Sequence, residues 1–441
     1  MSPRADQFLQ SELKMKHTTT LALLGVGGYG WVYTQPLLDP ELCRRHNVKL
    51  IAGVDPNPSC ARHLNELTAA GVPIYATTAE LYANQRPDVV ILASPIHFHC
   101  EQVIEALDHG CHVLCEKPLC VTIDQARQMQ LAADRSACQV AIGYQWSFSA
   151  AITKLKADIL AGDFGAARRA RSLTLWPRDE GYYTRNGWAG RRTAAGGRPV
   201  MDSPINNACA HFLHNLLYLL GPRPRRSALP IEVTAELYRA NAIETFDTAA
   251  LRARVWGDVD LLMIASHATA ETREPVFEIE FDRATVTYSA AGGDGQSDDR
   301  LLATLADGTV RDYGRPSGAT DATKLWSSVA AFRSGTPVSC GIDAATPQTM
   351  VVSAADASCP EPMPFPAGLV HVSGEVGRRK TSVAGLADVL TRAYAEWALP
   401  SEMNVDWAVA GVPVRVSDLH PDVRPAMPTA ADATHIPAAT L

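Results

Sequence analysis

Glu116 and Lys117 stand side by side in Cys115-Glu116-Lys117-Pro118, directly after the apolar, strand-like run His112-Val113-Leu114. In an open α/β sheet the strand C-termini are where ligands bind. A lysine with its ordinary pKa of about 10.4 is a poor base at neutral pH. Burial near another positive charge disfavours its ammonium form and brings it into the catalytic range. Further along, at about 3.6 residues per turn, Asn207, His211 and either His214 or Asn215 would share one face of a helix. His211 can relay a proton or serve as a neutral hydrogen-bonding group, whereas the Asn207 amide cannot take up a proton. Together these types suit proton transfer to or from a substrate oxygen, with Lys117 acting directly or through His211. The bland alternatives are a surface ion pair of Glu116 and Lys117 before a proline, and a satisfied core histidine at 211.

The elements that must position Lys117 begin with a strand over residues 21–25. It runs into Gly25-Val26-Gly27-Gly28-Tyr29-Gly30, which opens a helix over 31–38. Glycines at this spacing allow a tight turn and let a pyrophosphate approach backbone N–H groups at a helix N-terminus. The β-branched run 48–54 reads as the second strand and ends in Asp55, where an acid would bond an adenosine ribose 2′-OH and repel a 2′-phosphate. That reading favours NAD over NADP; the alternative is a turn aspartate capping Pro56-Asn57-Pro58. Residues 72–76 form a short strand and 88–93 an apolar run of the kind buried in a parallel sheet. The loop Ser94-Pro95-Ile96-His97-Phe98-His99 then precedes a helix over 101–108, with His99 placed either to brace the turn or to touch cofactor. A helix over 122–133 and a strand over 140–144 complete an alternation that fits one doubly wound domain.

Charge and cysteine usage narrow the partners. A net charge of -7 over 441 residues leaves no general basic footprint, which argues against nucleic acid and for small molecules. No apolar run approaches the roughly 20 residues of a membrane span, and the ten cysteines follow neither zinc-site pairing nor a disulfide framework. A cytoplasmic protein with reduced thiols is expected. Residues 1–16 read as a mobile N-terminus, with Met15 a candidate natural start.

Taken together, Gly25-x-Gly27-x-x-Gly30, Asp55, Ser94-Pro95-x-x-x-His99, Glu116-Lys117-Pro118 and Gly143-Tyr144 resemble the Gfo/Idh/MocA family of NAD(P)-dependent oxidoreductases. The resemblance covers the N-terminal domain well and continues loosely to about residue 358. It implies an α/β subunit: an N-terminal Rossmann domain with a doubly wound parallel sheet, here 17–145, and a C-terminal α/β domain, here 146–420. The second domain would carry a large open, mostly antiparallel sheet that often forms the subunit interface, and so a homodimer or homotetramer. The resemblance further implies hydride transfer at a carbinol carbon of a sugar, sugar acid or cyclitol, with Lys117 near the reacting oxygen. Candidate cofactor contacts are Gly25, Gly27, Gly28, Tyr29, Gly30, Asp55, Ser94, Pro95, His99, Glu116, Lys117 and Gln145; candidate substrate contacts are Asn207, His214, Tyr144 and Trp188. The family pattern Asp-x-x-x-His-x-x-Asp meets Asn207, His211 and His214 here. That departure puts the usual family substrate in doubt.

In the second domain, residues 155–160 and 322–334 read as helices, as does 344–357. Strands are expected over 231–237, 248–256, 259–266 and 276–281. Trp176, Arg178, Tyr182, Tyr183, Arg185, Trp188, Arg191 and Arg192 make an aromatic, Arg-rich segment suited either to a hydroxylated or acidic sugar or to a neighbouring subunit. Residues 359–420 form a less family-like extension with strand, helix and strand over 369–373, 383–397 and 412–416, and 421–441 read as a disordered tail. No metal is expected, because His211, His214 and Asp202 lack a third fixed ligand. Besides the NAD-dependent oxidoreductase, two other readings are weighed: an NAD-dependent glycosidase, in which a transient ketone permits elimination and water addition, and a non-catalytic sensor of NAD or sugar.

Overall fold

A computed structural model of the chain describes residues 17–290, 299–318 and 322–419. The expectations for 1–16 and for 421–441 lie outside them. The first domain lays down β1 (Thr19–Leu24), α1 (Trp31–Leu37), β2 (Val48–Val54), β3 (Ile74–Tyr75), β4 (Val89–Leu92), α2 (His99–Asp108), β5 (His112–Cys115), α3 (Ile123–Arg135) and β6 (Val140–Ile142). The six strands are parallel in the order β3-β2-β1-β4-β5-β6. Leu21 to Leu24 and Val89 to Leu92 are buried, as strands covered on both faces must be. Strand order reverses between β1 and β4, which opens the ligand crevice at their C-terminal ends.

The glycine loop is held by close approach. A Cβ at Gly30 would stand 2.0 Å from the Gly25 carbonyl oxygen, so the turn into α1 admits only glycine there. At the other end of the domain, Thr122 caps α3 and closes a capping box with Gln125.

The second domain contains α4 (Ala150–Leu160), β7 (Ala167–Leu175), α5 (Ala210–Leu219), β8 (Pro230–Arg239), β9 (Thr248–Val255), β10 (Val259–Ser266), β11 (Arg273–Phe281), β12 (Ala284–Ser289), β13 (Arg300–Leu305), β14 (Val310–Gly314), α6 (Thr323–Ser334) and α7 (Ile342–Ser358). Its large sheet runs β14-β13-β12-β11-β7-β10-β9-β8, mixed but mostly antiparallel. The sequence pattern had offered no strand at 167–175, 284–289, 300–305 or 310–314. For β7, in the middle of the sheet, the reason is charge. Arg169 and Arg171 look like solvent residues in sequence, yet they lie opposite Glu280 and Glu278 on β11 and pair with them at 2.7 Å.

The extension adds β15 (Met363–Pro364), β16 (Val370–Ser373), β17 (Lys380–Val383), α8 (Leu386–Glu396) and β18 (Val414–Arg415). β15 and β18 pair with β8, and β16 pairs with β17. Leu386, Ala387, Leu390 and Ala393 of α8 bury themselves against Leu173, Leu175, Leu262 and Ile264, forming a second core on the sheet's outer face. The large open, mostly antiparallel sheet is as expected, and over β7 and β10 the extension covers its outer face. No helix among the described residues is long and apolar enough to cross a membrane, and all ten cysteines are free thiols.

Because α8 shields this patch, Leu390→Asp is predicted to undock it by placing a carboxylate in an apolar layer. Hydrogen exchange should rise over 384–398 and light scattering should show self-association through the uncovered leucines. Unchanged exchange would mean that α8 does not depend on this contact.

Candidate active site

One cavity of about 1370 Å³ runs from the glycine loop across the crevice to the second domain. On the first-domain side, Gly25, Gly27, Gly28, Tyr29, Asp55, Ser94, Pro95, His99, Glu116 and Lys117 line it. Gly30 is tucked beneath the loop. Asp55 accepts from Gly27 N at 3.0 Å and from Asn57 N at 2.9 Å. It therefore braces both the glycine loop and the following turn, and its position on the wall leaves it open to a ligand hydroxyl. A Cβ at Gly28 would meet nothing within 4 Å, whereas one at Gly27 would crowd Cys60 Sγ at 2.9 Å. The loop is a bare backbone cradle, which is what a pyrophosphate requires.

His99 is buried between two loops, its ring nitrogens 2.9 Å from the Pro118 carbonyl oxygen and 3.1 Å from that of Ser94. Burial disfavours the charged ring, so one N–H donates to one carbonyl at a time. Bracing is its evident work. Ser94 Oγ donates to Gln102. Gln145 lies just past β6 with its side-chain oxygen buried and unpartnered among the described residues, outside the cavity lining.

Glu116 is almost fully buried and does not pair with the side chain of Lys117. Its carboxylate accepts from Tyr33 Oη at 2.5 Å, from Lys117 N at 3.1 Å, and from Lys324 Nζ in a short ion pair. Lys324 comes from the first turn of α6 and is 2% exposed. Burial alone would push the Glu116 carboxyl up, but Lys324, with Tyr33 and Lys117, outweighs it and holds the group below the usual carboxylate range. Sequence reasoning missed Lys324 altogether.

Lys117 Nζ instead donates to the Asn207 carbonyl oxygen at 3.0 Å and to its Oδ1 at 3.2 Å. Asn207 Nδ2 donates to Asp202 Oδ1 at 2.7 Å, which fixes which end of the amide faces the lysine. Burial lowers the Lys117 pKa; Glu116 and Asp202 oppose this and Lys324 assists it, leaving the amine below its ordinary value. His211, partly buried beside them, is driven well below 6.5 by burial and by the Lys117 and Lys324 charges. It is a neutral ring here, and its Nδ1 has no partner among the described residues.

The helical face expected to carry Asn207, His211 and either His214 or Asn215 is not one face, and His214 and Asn215 are both buried. α5 begins at Ala210, and Asn207 lies before it in a turn with φ -132° and ψ -88°. His214 points into the core, bonded to Ser147 Oγ at 2.9 Å and stacked on Tyr144 at 3.8 Å, with burial pushing it down to about 3. Tyr144 is 1% exposed and donates to Gln348. Neither reaches the cavity, so the expectation of substrate contacts from Tyr144 and His214 is withdrawn. Trp188 does line it, together with Arg178, Tyr182, Arg185, Asp202 and Asn207. Among the described residues no group of three His, Cys, Asp or Glu is placed to hold a metal ion.

A glycine cradle at the β1/β4 switch point defines this first domain as a dinucleotide-binding Rossmann domain. Residues 20–144 match the family described as "Oxidoreductase family, NAD-binding Rossmann fold", a match confined to the first domain. D-glucoside 3-dehydrogenase from Escherichia coli is 31% identical over 41% of this chain and 48% of its own length. The rhizopine catabolism protein MocA from Rhizobium meliloti is 32% identical over 33% of this chain and 43% of its own. The chain thus spans about half or less of the length of these curated relatives. In fold, an inositol dehydrogenase homolog from Azotobacter vinelandii, solved with NAD⁺, superimposes with a TM-score of 0.63 at 17% identity, over 78% of this chain and 96% of that one. The WlbA dehydrogenase of Bordetella pertussis does so with 0.62 at 18%, over 79% and 100%.

Asp55→Ala is predicted to weaken NAD binding at least about tenfold, since it removes both the loop brace and the acid on the wall. It should also narrow the gap between NAD and NADP in fluorescence titrations. An unchanged preference would leave Asp55 a loop brace only.

Proposed function

We propose that this chain is an NAD-dependent oxidoreductase acting on a carbinol carbon of a sugar, sugar acid or cyclitol, with Lys117 as acid/base. The observation that carries the proposal is the placement of Lys117 Nζ on the cavity wall, between the glycine cradle and Asn207. When bound, the nicotinamide supplies a hydride acceptor in oxidation or a donor in reduction. The protein's part is proton handling and orientation. Asn207 engages two N–H directions of the Lys117 amine, so the remaining direction faces the substrate. In oxidation the neutral amine takes the hydroxyl proton, and in reduction the ammonium returns it. His211, held neutral, lies outside the cavity lining, so proton handling rests on Lys117. Asp202 keeps the Asn207 amide turned so that its oxygen, not its NH₂, meets the lysine. The acid at Asp55 favours NAD over NADP.

The test is absorbance of NADH across sugars, sugar acids, cyclitols and aryl glycosides, with product analysis. Net NADH with one class supports the dehydrogenase; glycoside cleavage without it would make the chain a hydrolase.

Lys117→Ala is predicted to lower turnover by at least about 10²-fold while NAD binding, read by fluorescence titration, stays within about threefold. Loss of both together would make Lys117 structural. Lys324 acts through Lys117 and is read by pH. Oxidation needs the neutral amine, so kcat/KM rises as pH passes through the Lys117 pKa. Lys324→Met removes a nearby positive charge and uncovers Glu116, both of which favour the ammonium. The acid limb of the pH profile is therefore predicted to move up by about one pH unit or more. A limb that stays in place would sever Lys324 from proton handling.

A further inference from the structure

The substrate end of the cavity contains a cation with no acid to balance it. Arg178 follows β7 on the cavity wall, its backbone N–H donating to the His267 carbonyl oxygen at 3.1 Å. Its guanidinium lies over the rings of Tyr182 at 4.8 Å and Trp176 at 5.7 Å. Its Nε is buried without a hydrogen-bond partner among the described residues, and no carboxylate among them pairs with it.

The neighbouring arginines differ in this respect. Arg185 has Asp202 at 3.5 Å, Arg191 has Glu244 at 3.3 Å and Arg192 has Asp356 at 2.8 Å. The acids near Arg178 are already committed. Asp202 serves Gly190 N, Asn207 and Arg185, and Glu116 belongs to Lys324.

Arg178 also stands close to the proposed chemistry. Arg178 and Lys117 line the same cavity. On the same cavity wall Asn206 has a buried Oδ1 without a partner among the described residues. The His267 ring is neutral, pushed down to about 3 by burial and by Arg178, with Nδ1 facing the Trp176 carbonyl oxygen at 2.8 Å. The Asn206 amide oxygen suits a hydroxyl, and a planar guanidinium with free donors suits a carboxylate. A phosphate dianion would call for a second unpaired cation, and Arg185 is taken.

Resting on the dehydrogenase reading above, we propose that Arg178 binds a substrate carboxylate, and that the substrate class is a sugar acid, a uronate or aldonate. The carboxylate stays unreacted. A neighbouring carbinol loses its C–H hydride to NAD⁺ and its O–H proton to Lys117, and becomes a ketone.

The test is calorimetric titration of the full-length protein saturated with NADH, so that no oxidation occurs. The probes are D-glucuronate, D-galacturonate and D-gluconate, each beside its neutral parent D-glucose, D-galactose or D-glucitol, with D-glucose 6-phosphate added. At least one acid is expected to bind about tenfold or more tighter than its parent. That preference should vanish in Arg178→Met and survive in part in Arg178→Lys, with NADH binding by both variants showing that they remain folded. Neutral parents or the phosphate ester binding as tightly as the acids, no binding by any acid, or a preference that outlives Arg178→Met would each overturn the proposal. Because the readout needs no turnover, an Arg178-dependent acid preference without NADH formation from any substrate would leave the carboxylate site standing and sink the dehydrogenase reading instead.

Discussion

The ion pair of Glu116 and Lys324 is the constraint on which the site depends. A carboxylate buried at the end of β5 cannot stay ionised without a partner, and its sequence neighbour Lys117 is the obvious candidate. Had Lys117 taken that part, its ammonium would be locked to Glu116 and useless as a base. Lys324 arrives from the other domain and removes the conflict. Glu116 is satisfied by Lys324 and Tyr33, and Lys117 is released toward Asn207 and the cavity. The same contact ties α6 of the second domain to the C-terminal edge of the first domain's sheet, so docking the domains and preparing the amine are one event.

A second layer of the same logic lies at Asn207. An amide there looks like the loss of a charge, because it can neither accept a proton nor hold one. The structure moves the charge one step back, to Asp202, which holds the amide NH₂ and leaves the oxygen to the lysine. A carboxylate directly against Lys117 would stabilise the ammonium strongly; one screened by an amide does so less. Lys117 therefore has two acids within reach, and each is occupied by another donor.

The first domain was legible because its physics is local. Parallel strands buried on both faces spell themselves out as apolar runs, and a glycine forced by a 2.0 Å approach is visible as a glycine. The positions of Lys117 and Asp55 on the cavity wall were legible because they follow such strands directly. Lys324 was not, since nothing near it in sequence marks it as buried; its partner is 208 residues away. The supposed face of Asn207, His211 and His214 failed for a different reason. Helical spacing from Asn207 does not hold, because the helix begins at Ala210, and within it His214 faces the core beside Tyr144. β7 was hidden by arginines whose compensating glutamates sit on β11.

The extension is less family-like in sequence, yet it holds the segment that follows Arg178 on the cavity wall. Beyond β7 and β10 the parallel pairing continues: Trp176 N donates to Ser266 O, Arg178 N to His267 O, and the His267 ring returns to Trp176 O. The next residues are then gripped by the β16–β17 hairpin. Asp179 bridges to Lys380, Glu180 N donates to Arg379 O at 2.8 Å, and the Glu180 carboxylate accepts from Gly377 N at 2.7 Å. Val383 N is tied to Ala268 O, beside His267. The short helix Glu180–Thr184, which bears Tyr182, and the Arg178 guanidinium over its ring are thus clamped between the sheet and a hairpin that α8 anchors to the sheet's outer face. A guanidinium on a loose loop would spend its binding energy on becoming ordered. Held from both sides it is preorganised, which gives the extension a part in shaping the cavity wall.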